Sequence, residues 1–325
     1  MPQIDRDLVY LYSENARSKI REIATLLKKS PQRVKYTISI LEKNGLLHNP
    51  HTIFDYSYFG QILFRVYFKG GYISESDKAT MINTLRDNSY LVSIYELSGE
   101  YDLVLELCSP NPSRFNKELR KIVTTIPSLN NYKIVLNVVT HIYPRAYLLK
   151  TQQPQHQVST IIGGDREIES FDKYEMAVLK LLLENPKQRL TTLALGSGIN
   201  IKTVMNVMKE LQKRKILRGA RYLIDHEQLG IYKFRLFLKL HNLSEEREAT
   251  LLNYLLKTKE VVQVNKTVGD WNVEVDIETP DKMRMRAVIS ELRENFKDLI
   301  ETFNSMEFYQ YYKKSYLPRY LFQTP

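Results

Sequence analysis

A short run of basic, amide and hydroxyl side chains has the chemistry needed to contact DNA. These residues lie on either side of a Ser-Pro pair and are Lys28, Lys29, Gln32, Arg33, Lys35, Tyr36 and Ser39. Arginine can bind both acceptors of a guanine edge and glutamine an adenine edge, while lysine and serine suit phosphate oxygens. This chemistry requires a helix that presents the side chains on one exposed face.

The apolar spacing around this run predicts three short helices, which cover residues 4–12, 18–27 and 31–43. Ser18 is expected to cap the second helix and Ser30 the third. Pro31 suits the first helical position, and Gly45 is expected to follow the end of the third helix. Three short helices with a tight turn before the last predict a helix-turn-helix, followed by a wing or an extended arm.

The same layout returns 170 residues later, where residues 211–217 match residues 41–47. A second helix-turn-helix is predicted in residues 171–214, with Asn200 as the cap of its third helix. Its candidate DNA contacts are Lys202, Thr203, Asn206, Lys209, Arg218 and Arg221. A repeat of this length indicates a duplicated pair of domains, since solenoid repeats are far shorter. The second helix-turn-helix either contacts DNA or serves mainly for spacing and dimerisation.

Each helical module precedes a segment whose pattern predicts the order β-α-β-β-α-β, which is the ferredoxin-like arrangement. In the first copy, two strand-like runs meet at the turn Gly99-Glu100-Tyr101-Asp102, a hairpin signal. The second copy has Gly269, Trp271 and Asn272 at the same place. The fold class is therefore predicted as α+β, with two winged helix-turn-helix domains alternating with two ferredoxin-like domains. The expected domains are residues 1–55, 56–149, 171–226 and 227–325, with a Gln-, Gly- and Ser-containing linker at 150–170.

The composition limits the function classes without selecting one. The chain has 325 residues and a formal net charge of +10, which favours a polyanionic partner without being specific for one. Cys108 is the single cysteine, so the chain can form no internal disulfide and no thiolate-based metal site. The six histidines show no metal-ligand spacing, and no cofactor is predicted. The sequence contains no bilayer-spanning apolar stretch and no signal peptide, so a cytoplasmic protein is expected.

Several motifs together resemble the leucine-responsive regulatory protein/AsnC (Lrp/AsnC) family of transcription regulators. They are Ser30-Pro31-x-x-Val34, Ile38-x-x-Leu41-Glu42-x-x-Gly45, Gly99-x-Tyr101-Asp102 and His141-Ile-Tyr-Pro144. The resemblance implies a sequence-specific regulator, not an enzyme, that binds double-stranded DNA and oligomerises through its ferredoxin-like sheets. It also implies a homodimer or a pseudo-dimer within one chain, and an amino-acid effector near Gly99, Tyr101 and Asp102.

This sequence departs from the family pattern at several positions. Thr37 and Val207 stand where an arginine is usual, Lys28 replaces the glycine of the turn, and Asn272 replaces the hairpin acid in the second copy. The hairpin residues have two interpretations, one wall of an effector site or a turn that satisfies its own backbone. Two other functions stay open: an enzyme resembling siroheme decarboxylases, which share the fold, and an amino-acid sensor without DNA binding.

Overall fold

The computed structural model describes residues 4–70, 74–149, 159–242 and 244–323. It confirms the predicted α+β class, with helix-turn-helix modules alternating with ferredoxin-like modules. The helices are α1 (Arg6–Ser13), α2 (Ile20–Leu26), α3 (Pro31–Lys43), α4 (Glu75–Asp87), α5 (Pro112–Thr125), α6 (Lys173–Glu184), α7 (Leu190–Ser197), α8 (Ile201–Lys213), α9 (Glu245–Lys257) and α10 (Lys282–Asn295). The strands are β1 (Leu47–Phe54), β2 (Ile62–Phe68), β3 (Leu91–Ser98), β4 (Leu103–Ser109), β5 (Tyr132–Ile142), β6 (Thr160–Gly163), β7 (Leu217–Ile224), β8 (Tyr232–Leu240), β9 (Val261–Val268), β10 (Val273–Thr279) and β11 (Ile300–Lys314).

Helices α1 to α3 form the first helix-turn-helix head, and α6 to α8 form the second. The Ser30 hydroxyl accepts the amide of Arg33 at 3.3 Å, and the Asn200 side chain accepts the amide of Thr203 at 2.8 Å, so both predicted caps of the third helices are confirmed. The predicted cap of α2 was wrong. Ser18 lies in the preceding turn, where its amide bonds to the carbonyl of Asn15, and α2 begins after Lys19, which forms no side-chain cap.

The segments after the two heads pair with each other. β1 and β7 form a two-stranded antiparallel ribbon, with Leu47 opposite Ile224 and Phe54 opposite Leu217. The predicted wing or arm at residues 46–55 is therefore one strand of a ribbon that connects the two heads, rather than a wing hairpin within one head.

The two ferredoxin-like sheets close into a single barrel. The strand order is β2-β4-β3-β11-β8-β10-β9-β5, and β5 also pairs with β2. Each half contributes four of these strands, and the halves meet where β3 pairs with β11 and β9 pairs with β5. This pairing covers both edges of each sheet, which otherwise expose unpaired backbone groups. The two halves of the chain thus pair with each other along both edges of their sheets.

The expected linker at residues 150–170 contains a strand, which corrects part of that prediction. β6 pairs with the end of β5, so that Val139 lies opposite Gly163. Ile162 is buried, and the Gly163 amide donates to the Asp55 carboxylate at 2.9 Å. A Cβ at Gly163 would lie 2.7 Å from the Tyr56 hydroxyl, so this position requires glycine. Residues 150–158 of the expected linker lie outside the described residues.

Each head packs against the opposite half of the chain. The first head shares its core with Leu229 and Ile231, which lead into β8, and we call this contact the first joint. The second head packs against Tyr56 and Cys108 of the first half and also against Leu317, which follows β11, and we call this contact the second joint. Among the described helices, none has both the length and the apolar character needed to cross a membrane.

Candidate nucleic-acid interface

The outer face of α3 presents the predicted DNA contacts. Val34, Ile38 and Leu41 are buried in the head. The side chains that point away from this core are exposed, and they are Gln32, Arg33, Lys35, Tyr36 and Ser39. Tyr36 is 68% exposed. The 3.6-residue helical period therefore places cationic, amide and aromatic groups together on one accessible surface.

The two lysines of the turn before α3 differ in their environment. Lys28 is exposed and has a φ of +53°, a left-handed conformation that glycine adopts more readily. Lys29 is half-buried and forms an ion pair with Asp5, the cap residue of α1. Lys28 is thus available to a phosphate, whereas Lys29 fastens the turn to the first helix.

The outer face of α8 is less polar than that of α3. Lys202, Asn206 and Lys209 are exposed. The Thr203 hydroxyl donates to the capping side chain of Asn200 at 3.1 Å, so it stabilises the start of the helix. Ile201 and Met205 are 42% and 41% exposed on this helix, and the sequence analysis did not single them out. Exposed apolar side chains on a recognition helix suit contact with thymine methyl groups.

Arg218 and Arg221 do not extend the exposed surface of α8. Arg221 has only 13% of its side chain exposed, pairs with Glu14 and donates to the carbonyl of Tyr143 at 3.3 Å. This correction has a clear cause, since β7 carries Arg221 into the first joint. Arg218 is half-buried and lines a groove of about 370 Å³ between the heads, together with Arg17 and Gln212.

Direct contacts hold the two heads together. The Arg17 guanidinium donates to the carbonyls of Pro186 at 2.7 Å and Gln188 at 3.1 Å. Glu42, in the last turn of α3, accepts from Lys187 of the second head at 2.5 Å and from the Tyr222 hydroxyl. The orientation of one recognition helix is therefore tied to the other head by hydrogen bonds, in addition to the β1–β7 ribbon.

The hairpin turns lie near one another at one end of the barrel. Gly99 and Gly269 have φ values of +147° and +153°. The Asp102 carboxylate accepts the amide of Gly70, and Tyr101 is buried with its ring 5.5 Å from that of Tyr67. These contacts support the interpretation in which the first hairpin satisfies its own turn.

A groove of about 510 Å³ adjoins both hairpins, but its lining differs from the predicted effector residues. Its walls include Glu100, Lys133, Lys239, Asp270 and Trp271, and neither Tyr101 nor Asp102 is among the described residues that line it. Lys133 and Asp270 form an ion pair between the two halves of the chain. The sequence could identify each turn, but it could not show that the two turns share one groove.

The barrel interior contains charged residues that the sequence analysis missed. The Arg235 guanidinium forms two hydrogen bonds with Asp276, at 2.7 and 3.0 Å, and Arg65 bonds to Glu106 at 2.8 Å and also to Glu274. All five side chains are almost completely buried. Burial alone would raise the pKa of Glu106, but the charges of Lys314 and Arg65 outweigh it and lower the pKa. The sequence signal that could have identified these residues is the pair Arg65 and Arg235, which lie 170 residues apart within mostly apolar strands.

A second ionic cluster lies at the first joint, centred on Glu278. This fully buried carboxylate accepts from the Tyr147 hydroxyl at 2.6 Å and pairs with Arg145 and Lys233, both at 3.2 Å. Arg145 also pairs with Glu14 of the first head at 3.0 Å. Burial would raise the pKa of Glu278, but positive charge and polar contact from His226, Lys233 and Arg145 hold it well below its ordinary value.

Comparisons with known proteins agree with this architecture. A family model described as winged helix-turn-helix DNA-binding matches residues 1–47. An uncharacterized HTH-type transcriptional regulator of Pyrococcus horikoshii is 27% identical over 137 residues, which cover 42% of this chain and 91% of that protein. The HTH-type transcriptional regulator Ptr1 of Methanocaldococcus jannaschii is 25% identical over 136 residues, 42% of this chain and 90% of that protein. Each of these relatives matches less than half of this chain, which is expected if this chain contains two copies of a unit that they contain once.

A likeness of fold extends over almost the whole chain. The crystal structure of the siroheme decarboxylase NirDL matches with a TM-score of 0.57 and 12% identity, covering 96% of this chain and 93% of that one. The fold defines a chain with two helix-turn-helix heads joined to one barrel. The comparisons confirm the resemblance of this chain to transcription regulators of the Lrp/AsnC type.

Proposed function

We propose that this chain is a transcription regulator that binds double-stranded DNA with both heads as a single-chain pseudo-dimer. The observation that carries the proposal is the pair of exposed recognition faces on heads that are bonded directly to each other. Arg33, Lys35, Lys202 and Lys209 are all exposed on these faces. Because the two faces differ in sequence, the expected DNA site consists of two unlike half-sites rather than a strict palindrome.

The distribution of roles follows from the side chains. On α3, Arg33 and Gln32 are suited to base edges, while Lys28, Lys35 and Ser39 are suited to phosphates. On α8, Asn206 is suited to an adenine edge and Lys202 and Lys209 to phosphates. Tyr36 adds an aromatic contact at the centre of the α3 face. Lys29, Thr203 and Arg221 are assigned to structural contacts within the heads and the first joint.

The experiment is a binding titration with random-sequence duplex DNA at 50 and 200 mM salt. We expect affinity to fall by roughly 10³-fold across this range if about six phosphates are contacted. Lys202→Ala/Lys209→Ala removes two phosphate contacts and should lower the slope of log affinity against log salt by about 2. Arg33→Ala/Lys35→Ala should lower it by about 1, because Lys35 is the phosphate contact of that pair. The matched control is Lys117→Ala/Arg120→Ala, which removes two exposed cations of α5 and should leave the slope unchanged.

The outcomes separate the alternatives. If only Arg33→Ala/Lys35→Ala lowers the salt slope, the second head does not contact DNA and serves for spacing. No binding at 50 mM salt would contradict the regulator and favour the sensor without DNA binding.

The proposed role is not catalytic. The likeness to the siroheme decarboxylase is a likeness of fold at 12% identity. The interior of the barrel is filled by paired side chains, with Arg65, Arg235 and Lys314 set against Glu106, Glu274 and Asp276. A visible absorbance band in the purified protein would contradict this view and favour a tetrapyrrole ligand.

An amino-acid effector fits the groove beside the two hairpins better than it fits the first turn alone. Lys133 and Lys239 can take a carboxylate there, and Glu100 and Asp270 can take an ammonium group. We expect Asp270→Asn to abolish any rise in melting temperature that a panel of amino acids produces. Asp102→Asn should retain that rise, because Asp102 lies outside the lining.

A further inference from the structure

A cationic cleft lies at the second joint. Its volume is about 540 Å³, within the range of small-molecule sites. Its walls come from the end of α4, from α6 of the second head, from the end of β11 and from the segment that follows β11. No residue of α3 or α8 lines it, so this cleft is not part of the proposed DNA-reading surface.

Positive charge dominates the cleft. Arg86, Lys180 and Arg319 are exposed at its walls, and Lys313 is half-buried within it. Within the described part of the chain, the Arg86 and Lys180 side chains form neither a hydrogen bond nor an ion pair with protein groups. Glu184 is the single carboxylate among the lining residues that the structure describes.

Two of these cations are already held in position by the end of α4. The Lys313 ammonium donates to the carbonyls of Arg86 at 3.1 Å and Asn88 at 3.3 Å, and the Arg319 guanidinium donates to the carbonyl of Arg86 at 2.6 Å. Since an ammonium has three protons, Lys313 retains one for a ligand. Burial, followed by the charge of Arg319, lowers the pKa of Lys313 to about 7, although Asp87 opposes this change. A bound anion would relieve the repulsion between these cations.

The remainder of the cleft is apolar. Leu183 of α6, Leu317 and Phe322 line it beside the cations. A bare inorganic anion would leave this surface in water, whereas an organic anion would cover it. The combination of a cationic end and an apolar wall therefore selects the class of ligand.

We propose that this cleft binds a small organic anion. Its acidic group lies between Arg86, Lys313 and Arg319, and its apolar body lies against Leu183, Leu317 and Phe322. Because α6 belongs to the second head, the ligand bridges that head and the barrel. The regulatory consequence, a change in DNA affinity on ligand binding, rests on the proposed function, but the binding itself does not.

The test uses the full chain and two probes. The first is the aromatic sulfonate 8-anilinonaphthalene-1-sulfonate, whose binding is followed by its fluorescence. The second is inorganic pyrophosphate, an anion without an apolar group, whose binding is measured by calorimetry. Arg86→Gln/Arg319→Gln should weaken both probes at least tenfold. Phe322→Ala should weaken the sulfonate severalfold and leave pyrophosphate within twofold. Lys117→Gln/Arg120→Gln, which removes two exposed cations elsewhere, should leave both affinities within twofold. Equal melting temperatures would show that the variants remain folded.

Three results would overturn the proposal. The first is that neither probe binds saturably. The second is that the intact chain and Arg86→Gln/Arg319→Gln bind the probes equally well. The third is that a stoichiometric amount of random-sequence duplex DNA displaces the sulfonate. The last result would assign the cations to DNA phosphates instead. A chain that binds the probes at this cleft but binds no DNA would contradict the regulator and leave the anion site intact.

Discussion

The two joints occupy equivalent places in the duplicated fold, yet they are built from different chemistry. Glu278 of the first joint corresponds to Cys108 of the second at the 170-residue offset, and Lys233 corresponds to Leu63. Glu278 is surrounded by cations, whereas Cys108 and Leu63 lie in an apolar core with Leu317. Ion pairs and hydrogen bonds are directional, while apolar contact is not. The first head is therefore held in one orientation, and the second joint combines apolar packing with the cationic cleft.

The largest expected effect comes from removing the central charge of the first joint. Glu278→Gln leaves Arg145 and Lys233 buried without this counter-charge, so the free energy of unfolding should fall by about 3 kcal/mol or more. Cys108→Ala, at the equivalent position, should cost about 1 kcal/mol, since it removes one buried atom and no charge. Urea denaturation followed by the fluorescence of Trp271, the single tryptophan, measures both. Equal costs would show that the joints do not differ as described.

A smaller expected effect is the dependence of the stability of the second joint on pH. His51 of the second joint is buried and corresponds to Arg221 of the first. Burial lowers the pKa of His51 to about 3. Between pH 6.5 and about pH 3, His51 is protonated in the unfolded chain but not in the folded chain. The free energy of unfolding therefore falls as the pH falls, by about 1.4 kcal/mol per pH unit.

The intact protein should therefore lose about 2 kcal/mol relative to His51→Gln between pH 6.5 and 5.0. Arg221→Gln is the matched control, because an arginine does not titrate in this range and its stability difference from the intact chain should stay constant. Parallel pH profiles for the intact chain and His51→Gln would contradict the assignment of a neutral, buried imidazole.

The smallest expected effect concerns two positions per head at which the backbone is left-handed and one head has lysine where the other has glycine. Lys28 and Lys215 have φ values of +53° and +64°, while their counterparts Gly198 and Gly45 have +68° and +75°. Lys28→Gly and Lys215→Gly should each stabilise the chain by about 0.5–1 kcal/mol, because glycine adopts this conformation without Cβ strain. Gly198→Lys and Gly45→Lys should cost a similar amount, since no atom lies within 4 Å of a Cβ built at either glycine. Thermal denaturation of the four variants measures this, and a loss of stability in either lysine-to-glycine variant would contradict it.

Local features of the fold could be predicted from the sequence because their signals lie close together in the chain. Ser30 and Asn200 cap their helices as expected, and the order of strands and helices along each ferredoxin-like half follows from periodicity and turn residues. The pairing of β1 with β7 and the closure of the barrel join segments more than 120 residues apart, and no local pattern determines such pairing. Arg221 illustrates the same limit at the candidate site. Its charge suggested DNA, but its partner Glu14 is distant in the sequence.

We propose that one chain reads DNA with two heads held in a fixed arrangement. Hydroxyl-radical footprinting on a duplex selected from random sequence tests it most directly, with the stoichiometry of the complex measured in parallel. We expect one chain per duplex and two protected tracts separated by about one helical turn, roughly 10 base pairs. Arg33→Ala/Lys35→Ala should remove one tract and Lys202→Ala/Lys209→Ala the other. A single tract that is insensitive to Lys202 and Lys209, or a requirement for two chains per site, would contradict the claim.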